Sequence, residues 1–526
     1  MDRTVLVAEP IAEDGIAILK ESLKVDYIPD LKANRLMEII GEYDALLVRS
    51  GTRVTEEVIG AGKKLKVVGR AGVGVDNIDV AAATRRGVVV VNAPGGNTIA
   101  AAEHTIAMML SLARNIPRAD ASLRAGKWLR QEFMGREVRN KILGVIGLGK
   151  IGVEVVRRAQ GMEMRTISFD PFASEDLARH LGVELVSLEE LLSRSDFITV
   201  HTPLTDATRS LVGAKEMALM KPTAYIINCA RGGIVDEDAL LAALQQDRIG
   251  GAALDVFTKE PLGQNPFLEC KRLILTPHLG AMTHEAQVSV AVDVAHEIVA
   301  VLGGGQPRYA VNLPLMLPET LAVLAPFASV AESLGKLATQ LVDGQPRLIE
   351  MTYSGEISQH DTAPLTASVI KGLLSPISEE QVNLVNAMVV ARSRELHIRE
   401  QKESQCENYN SLVTVTVTAS AGKISVSGTS LGGEPHLTQV GGYWLDVPLS
   451  KGFLLFGEHL DRPGIIGAVG TLLGAFGVNI SFMQVGRHQP RGRAVMILGV
   501  DGLISEEVRQ QLQAIPDLYS VKMVQL

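Results

Sequence analysis

Short, wholly apolar runs separated by helical patterns set the rhythm of the N-terminal half of the chain. Val5-Leu-Val, Ala45-Leu-Leu-Val, Val67-Val-Gly and Val88-Val-Val-Val91 read as buried strands. So do Phe197-Ile-Thr-Val-His201, Ala224-Tyr-Ile-Ile-Asn228 and Leu273-Ile-Leu-Thr276, and Leu143-Gly-Val-Ile runs straight into a glycine-rich turn. Continuous hydrophobicity belongs to strands covered on both faces, and strands that alternate with helices form parallel sheets. Several runs end at polar residues, where doubly wound sheets place their ligands. An amphipathic helix is predicted over Val288–Leu302, after which Gly303-Gly-Gly-Gln-Pro307, Pro314 and Pro318 break the pattern. Helical patterns resume, followed by a strand-rich stretch that includes Leu412-Val-Thr-Val-Thr-Val-Thr418. A last boundary falls at Val447–Lys451, and the remainder reads strand, helix, strand, strand, helix, strand, a ferredoxin-like unit.

The predicted fold class is therefore α/β. It comprises two doubly wound parallel-sheet (Rossmann-like) domains, then an α+β intervening domain and a ferredoxin-like domain. The expected boundaries are 1–98 (completed by 281–317), 99–280, 318–448 and 453–526. A chain of 526 residues is too long for one hydrophobic core, which agrees with several domains. A net charge of −8 argues against a general nucleic-acid surface. Three widely spaced cysteines, Cys229, Cys270 and Cys406, form no C-x-x-C, so neither a zinc site nor a disulfide framework is expected and a reducing cytoplasm is the simplest setting. The longest apolar stretch is read near Ile465–Ile480; four glycines interrupt it and it is too short to span a bilayer, so no membrane contact is expected.

The chemistry concentrates where strands meet turns. Gly147, Gly149 and Gly152 form G-x-G-x-x-G between a strand and a helix. That spacing allows a tight turn, a close backbone approach to a pyrophosphate and close helix–strand packing, with free helix N–H groups facing the phosphates. Asp170 closes the next strand, where an acid binds a ribose hydroxyl, and no arginine follows it at once, so NAD is favoured over NADP. Downstream lie Arg231 in Asn228-Cys-Ala-Arg-Gly-Gly233, Glu260 before Pro261, and His278 in Thr276-Pro-His-Leu-Gly280. A 2-hydroxy acid dehydrogenase needs this set: a histidine for the C2 oxygen's proton, a carboxylate beside the ring, and an arginine fork for the substrate carboxylate. Taken singly, each also has a bland reading: a capped loop histidine, a helix-start arginine, a solvated turn glutamate.

In this order the motifs resemble the D-isomer-specific 2-hydroxyacid dehydrogenase family, and Gly69-Arg-Ala-Gly-Val-Gly-Val-Asp-Asn-Ile-Asp79 matches it as well. The resemblance covers essentially the whole chain, in a long form with two extra C-terminal domains. It implies NAD-dependent oxidation of 3-phospho-D-glycerate to 3-phosphohydroxypyruvate, the first step of L-serine synthesis. Arg231, Glu260 and His278 match the catalytic residues. The cofactor set it implies is Gly147, Gly149, Lys150, Ile151, Gly152, Asp170, Thr202, Cys229, Ala230, Arg231, Asp255, His278, Gly280 and Ala281. Arg49, Ser50, Gly51, Arg70, Gly72, Asn97 and Arg130 match substrate positions, with Arg49, Arg70 and Arg130 expected at the phosphate. His459-Leu-Asp-Arg-Pro-Gly464 and Gly477-Val-Asn-Ile480 resemble an ACT domain. There L-serine, the expected effector, would meet His459, Asp461, Gly464, Asn479 and Ile480. The intervening stretch carries Lys336, Lys371, Arg392 and Arg394, which fit either an anion site or a spacer. A homo-oligomer, dimer or tetramer, also follows from the resemblance. Two readings stay open: another D-2-hydroxy acid (glycerate, lactate or 2-hydroxyglutarate) as substrate, or a dinucleotide-sensing corepressor without turnover.

Overall fold

A computed structural model describes residues 3–314, 318–379, 381–449 and 452–526. The boundaries expected over Pro314–Pro318 and Val447–Lys451 fall partly outside these residues. The first sheet contains β1 (Thr4–Val7), β2 (Lys24–Tyr27), β3 (Ala45–Val48), β4 (Val67–Arg70) and β5 (Val89–Val91), all parallel, in the order β2-β1-β3-β4-β5. The second contains β6 (Ile142–Ile146), β7 (Arg165–Phe169), β8 (Glu184–Leu185), β9 (Phe197–Val200), β10 (Tyr225–Asn228), β11 (Gly251–Leu254) and β12 (Leu273–Leu275). It too is parallel, ordered β12-β11-β10-β9-β6-β7-β8. Strand order reverses between β1 and β3 and between β6 and β9, so each sheet opens a crevice at the carboxyl ends of those strands.

The apolar runs become strands because both faces of each sheet are covered. Every residue of β3 and all of Val5, Leu6 and Val7 are fully buried. Three strands lacked a clear sequence signal. β2, Lys-Val-Asp-Tyr, lies at the sheet edge and is half open to solvent, and β8 is a two-residue edge strand. β11, Gly-Ala-Ala-Leu, is built of weak strand formers yet fully buried, because β10 and β12 flank it.

The helix expected over Val288–Leu302 starts earlier, at His284, where the Thr283 hydroxyl caps it by accepting from Ala286 N–H. It returns the chain to the first sheet. Val290, Val294, Ile298 and Leu302 join the core of Val5, Val7, Leu47 and Val67, and a Cβ on Gly69 of β4 would run into Val294 and Ile298. Val90 N–H then donates to Asn312 Oδ1, and Val91 bridges to Ala310.

The third sheet holds β13 (Pro346–Gly355), β14 (His397–Glu403), β15 (Ser411–Ala419), β16 (Lys423–Leu431), β17 (Glu434–Val440) and β18 (Tyr443–Pro448), antiparallel except for the β13–β14 pair. Over it lies helix Pro318–Leu341. Its Thr320–Leu341 segment is a helix long and apolar enough by length and composition to cross a membrane, whereas the uncharged stretch near Ile465–Ile480 gives only the shorter helix Ile465–Ala475. Glu332 and Lys336 interrupt the run in sequence. Val330, Leu334, Leu337 and Ala338 are fully buried in the core with Val413, Val415 and Val426, as in a helix packed into a protein core. The fourth domain holds β19 (Phe453–Leu460), β20 (Ile480–Arg487), β21 (Arg493–Val500) and β22 (Leu518–Gln525), antiparallel in the order β20-β21-β19-β22, with two helices. Leu454, Phe456, Val495, Ile497 and Val524 of that sheet belong to the third domain's core, and Gln340 exchanges two hydrogen bonds with the Gln525 backbone.

Candidate active site and effector site

The dinucleotide turn follows β6. Gly147 adopts φ +95°, a left-handed conformation that side chains avoid. A Cβ on Gly152 would overlap the Gly147 carbonyl oxygen, so this glycine serves close helix–strand packing. Gly149 differs: a Cβ there would meet nothing within 4 Å, and the protein's own packing does not demand a glycine. That open space lies at the N-terminus of helix Lys150–Gly161, which has no side-chain cap and so presents free N–H groups, the environment a pyrophosphate requires. Beside Gly147, Thr202 Oγ1 is buried without a partner. Asp170 accepts from Leu148 N–H at 2.7 Å and Phe172 N–H at 2.8 Å, which ties the second strand's acid to the turn. These features fit a bound dinucleotide. Lys150 and Ile151 open the same helix, and the Lys150 ammonium reaches toward Gly95 of the first domain.

Past β10, Asn228 organises the next loop. Its side chain accepts from Ala230 N–H at 3.0 Å and donates to the Arg231 carbonyl at 2.9 Å. The Cys229 side chain is buried in the core, and burial followed by Asp255 pushes its thiol up to about 12. After β11, fully buried Asp255 fixes the loop that follows β12. Its oxygens accept from Leu279 N–H, Gly280 N–H and the Thr276 hydroxyl, with His104 Nε2 at 3.1 Å. Burial alone would raise its pKa, but His104 and these donors hold it below the ordinary value. Ala281 lies just beyond and its carbonyl accepts from Gln287.

This loop holds His278 at φ +57°, an uncommon conformation for a side chain with a Cβ, secured by His278 N–H donating to the Asp255 carbonyl at 2.9 Å. His278 Nδ1 lies 2.7 Å from Glu260 Oε2, while Glu260 Oε1 accepts from Phe257 N–H at 3.0 Å. Burial would raise the Glu260 pKa, yet the His278 bond and the Phe257 N–H outweigh it and hold the carboxyl low. The pair assigns the neutral ring's proton to Nδ1 and leaves Nε2 to accept another.

Opposite stand the carboxyl ends of the first sheet. Glu9, after β1, accepts from the backbone N–H groups of Arg49, Gly51 and Thr52, which shapes the loop Arg49-Ser50-Gly51 after β3. Arg70 ends β4. Its Nε is buried without a partner, and a Cβ on Gly72 would occupy the space of its guanidinium. Burial, then the nearby Arg231 charge, lowers its pKa. Arg231 crosses from the second domain to meet Asp76 Oδ2 at 3.3 Å. Arg49, Arg70 and Arg231 thus form one cationic cluster with spare donors, which suits an anion carrying two charged groups. Asn97, at the start of helix Thr98–Arg114, adds a buried Oδ1 without a partner. Arg130 does not join them: it is exposed on the turn Arg130–Phe133 and, among the described residues, shares no hydrogen bond or ion pair with the cluster.

Glu9, Asp76, His104 and Asn228 escaped the sequence reading. Asn228 left a signal through its place beside Arg231, and Asp76 through its place within Gly69–Asp79; Glu9 and His104 act across the fold.

In the fourth domain, buried His459 bonds the Leu460 carbonyl through Nδ1 at 2.9 Å and leaves Nε2 without a partner. Asp461, held low by Arg487 and then by Arg491 N–H, accepts from both at 2.9 and 3.1 Å. Asn479 donates to Asp501 at 2.9 Å. Gly464 caps the helix Ile465–Ala475 at φ +93°, and half-buried Ile480 opens β20. In the third domain, Lys336 and Lys371 both pair with Glu332, at 3.2 and 2.7 Å, and Arg394 bonds the Ile377 carbonyl, so the two lysines are spent internally.

Residues 106–280 match the family model of the D-isomer specific 2-hydroxyacid dehydrogenase NAD binding domain. Residues 323–441 match the D-3-phosphoglycerate dehydrogenase intervening domain, and 453–517 match the ACT domain. A D-3-phosphoglycerate dehydrogenase of Synechocystis sp. is 48% identical across 99% of this chain and 94% of its own length. Those of Methanocaldococcus jannaschii and Bacillus subtilis are 45% and 40% identical, each over 99% of both chains. Among solved structures, D-lactate dehydrogenase from Escherichia coli covers 59% of this chain and 99% of its own, with TM-score 0.54 and 28% identity. A glyoxylate reductase from Paecilomyes thermophila covers 59% and 98%, with TM-score 0.54 and 30% identity.

Proposed function

The chain belongs to the D-3-phosphoglycerate dehydrogenase family, within the D-isomer specific 2-hydroxyacid dehydrogenases, and from that premise we propose that it oxidises 3-phospho-D-glycerate to 3-phosphohydroxypyruvate with NAD, opening L-serine synthesis. The observation that carries this is the convergence of Arg49, Arg70 and Arg231 on the cleft that also holds the His278–Glu260 pair. Arg231 receives the substrate carboxylate and polarises the C2 oxygen, while Arg49 and Arg70 take the phosphate. Ser50, Gly51, Gly72 and Asn97 shape the floor between them. His278 Nε2 accepts the C2 hydroxyl proton, and Glu260 steadies the imidazolium that results. Bound NAD supplies the acceptor for the C2 hydride. Gly149, the free N–H groups of helix Lys150–Gly161, Asp170 and Thr202 hold the dinucleotide, with Lys150, Ile151, Ala230, Gly280 and Ala281 beside it and Asp255 positioning the His278 loop.

L-serine acts at the ACT domain, where His459 Nε2 is, among the described residues, a buried atom without a partner, and Asp461 and Asn479 exchange their present partners for the effector. The working unit is a homo-oligomer, a dimer or tetramer. Exposed Ile116, Leu123, Trp128 and Met134, on and just after helix Ile116–Arg124, form an apolar surface suited to a second copy. A cytoplasmic location goes with this metabolic role.

The test is NADH oxidation with 3-phosphohydroxypyruvate set against hydroxypyruvate and pyruvate. A strong preference for the phosphorylated acid supports the assignment. Turnover of only the unphosphorylated acids would keep the His278 chemistry and discard the phosphate role of Arg49 and Arg70. No turnover of any would move a dinucleotide-sensing role to the front.

A further inference from the structure

Two acids face the arginine cluster, and they are held very differently. Glu9 spends its oxygens on three backbone N–H groups. Asp76 makes no side-chain hydrogen bond among the described residues; its one ion pair is with Arg231, at 3.3 Å. The Asp76 side chain is 81% exposed and Arg231 31%, so the acid is loosely tethered while the guanidinium is partly enclosed. Arg231 Nη1 bonds the Ala230 carbonyl at 2.7 Å, which fixes the head, and a Cβ on Gly74 would overlap that head. The Gly74–Asp76 segment of the first domain is thus cut to admit an arginine from the second and to offer it a carboxylate.

We propose that Asp76 is an internal stand-in for the substrate carboxylate, resting with one oxygen 3.3 Å from Arg231 Nε until a 2-hydroxy acid displaces it, and so setting the affinity for that acid. This rests on the reading of Arg231 as carboxylate receiver. An exposed ion pair contributes little, whereas a ligand carboxylate enclosed on the fork gains paired charge-assisted bonds, so exchange favours the ligand. Asp76 also tempers the repulsion between Arg70 and Arg231, which keeps the cluster assembled before substrate arrives.

The test titrates oxalate and, separately, inorganic phosphate into the full-length protein loaded with NADH, wild type against Asp76→Asn, by calorimetry. Oxalate should bind about two- to fivefold tighter to the variant, while phosphate affinity moves by less than about 1.5-fold. In turnover of 3-phosphohydroxypyruvate, KM should fall with kcat held. Unchanged or weaker oxalate binding would overturn the proposal and make Asp76 a support for Arg231. Equal tightening of both anions would reduce the effect to a general field and overturn it as well. Absence of oxalate binding in both proteins would remove Arg231 as the receiver and the stand-in with it. Failure of the wild type to turn over any 2-oxo acid would instead count against the proposed function, with the oxalate titration still deciding Asp76.

Discussion

The interdomain cleft and the C-terminal domain treat their polar residues in opposite ways. In the cleft, side chains from two sheets converge, and several stay unpaired: Arg70 Nε, Asn97 Oδ1 and Thr202 Oγ1. In the C-terminal domain, Asp461 pairs with Arg487, Asn479 with Asp501 and Arg462 with Asp517, and among the described residues His459 Nε2 is the buried side-chain atom left open. Unpaired buried polar atoms are costly, and a fold retains them where a ligand completes them. The cleft thus keeps polar atoms open where the proposed substrate and cofactor would lie, whereas the residues of the proposed effector site, His459 apart, are paired internally and would exchange those pairs on binding.

Variants can break this contrast at either end. His278→Ala should reduce turnover by about 10²- to 10⁴-fold while NADH affinity stays within about twofold. A matching loss of NADH affinity, read by fluorescence titration, would mean that the ring holds cofactor instead. Gly152→Ala forces a methyl group onto the Gly147 carbonyl, so NADH affinity should fall by about tenfold or more together with thermal stability; retention of both would show that the turn can shift at little cost. Arg231→Ala should lower kcat/KM for 3-phosphohydroxypyruvate by about 10- to 100-fold through loss of a charge-assisted hydrogen bond, a smaller effect than His278→Ala because binding rather than proton transfer is lost.

Glu260→Gln acts on pH. Glu260 is held below the ordinary carboxylate value, so its pairing with His278 is present above that range and lost only as pH falls through the lowered pKa. Across neutral pH it is charged and favours the imidazolium. Without that charge the rising limb of oxidation against pH should move to lower pH. An unmoved limb would take Glu260 out of the role. The smallest effect belongs to the tail: Asp461→Asn should shift the L-serine titration to higher concentration and alter serine-free turnover less than any cleft variant. A large loss of serine-free turnover would show that the tail supports catalysis directly.

Much of this was legible in the order of residues. Eight apolar runs became the strands they predicted, because strands covered on both faces by a parallel sheet's helices are apolar throughout, and most of them are buried. Gly147, Gly149 and Gly152 announced the turn, since its three steric demands fall at fixed spacing. The strand–helix order of the last domain was equally readable. β11 was not, because alanine and glycine are buried there by neighbouring strands rather than by preference. Helical patterns were legible from Pro318 onward, but not the length of helix Pro318–Leu341 or its apolar face, because Glu332 and Lys336 interrupt the run that β15 and β16 cover.

By itself, the sequence determined the elements, the glycine turn and which residue types were present for hydride and proton chemistry, because these depend on local spacing and side-chain character. Only the tertiary structure decided that Glu260 Oε2 lies 2.7 Å from His278, that Asp255 anchors the His278 loop, and that Arg231 crosses to Asp76 and Arg70 while Arg130 does not join them. Such contacts join residues far apart in the chain, and their distances are set by how two sheets turn their carboxyl ends toward one cleft, which no local pattern encodes.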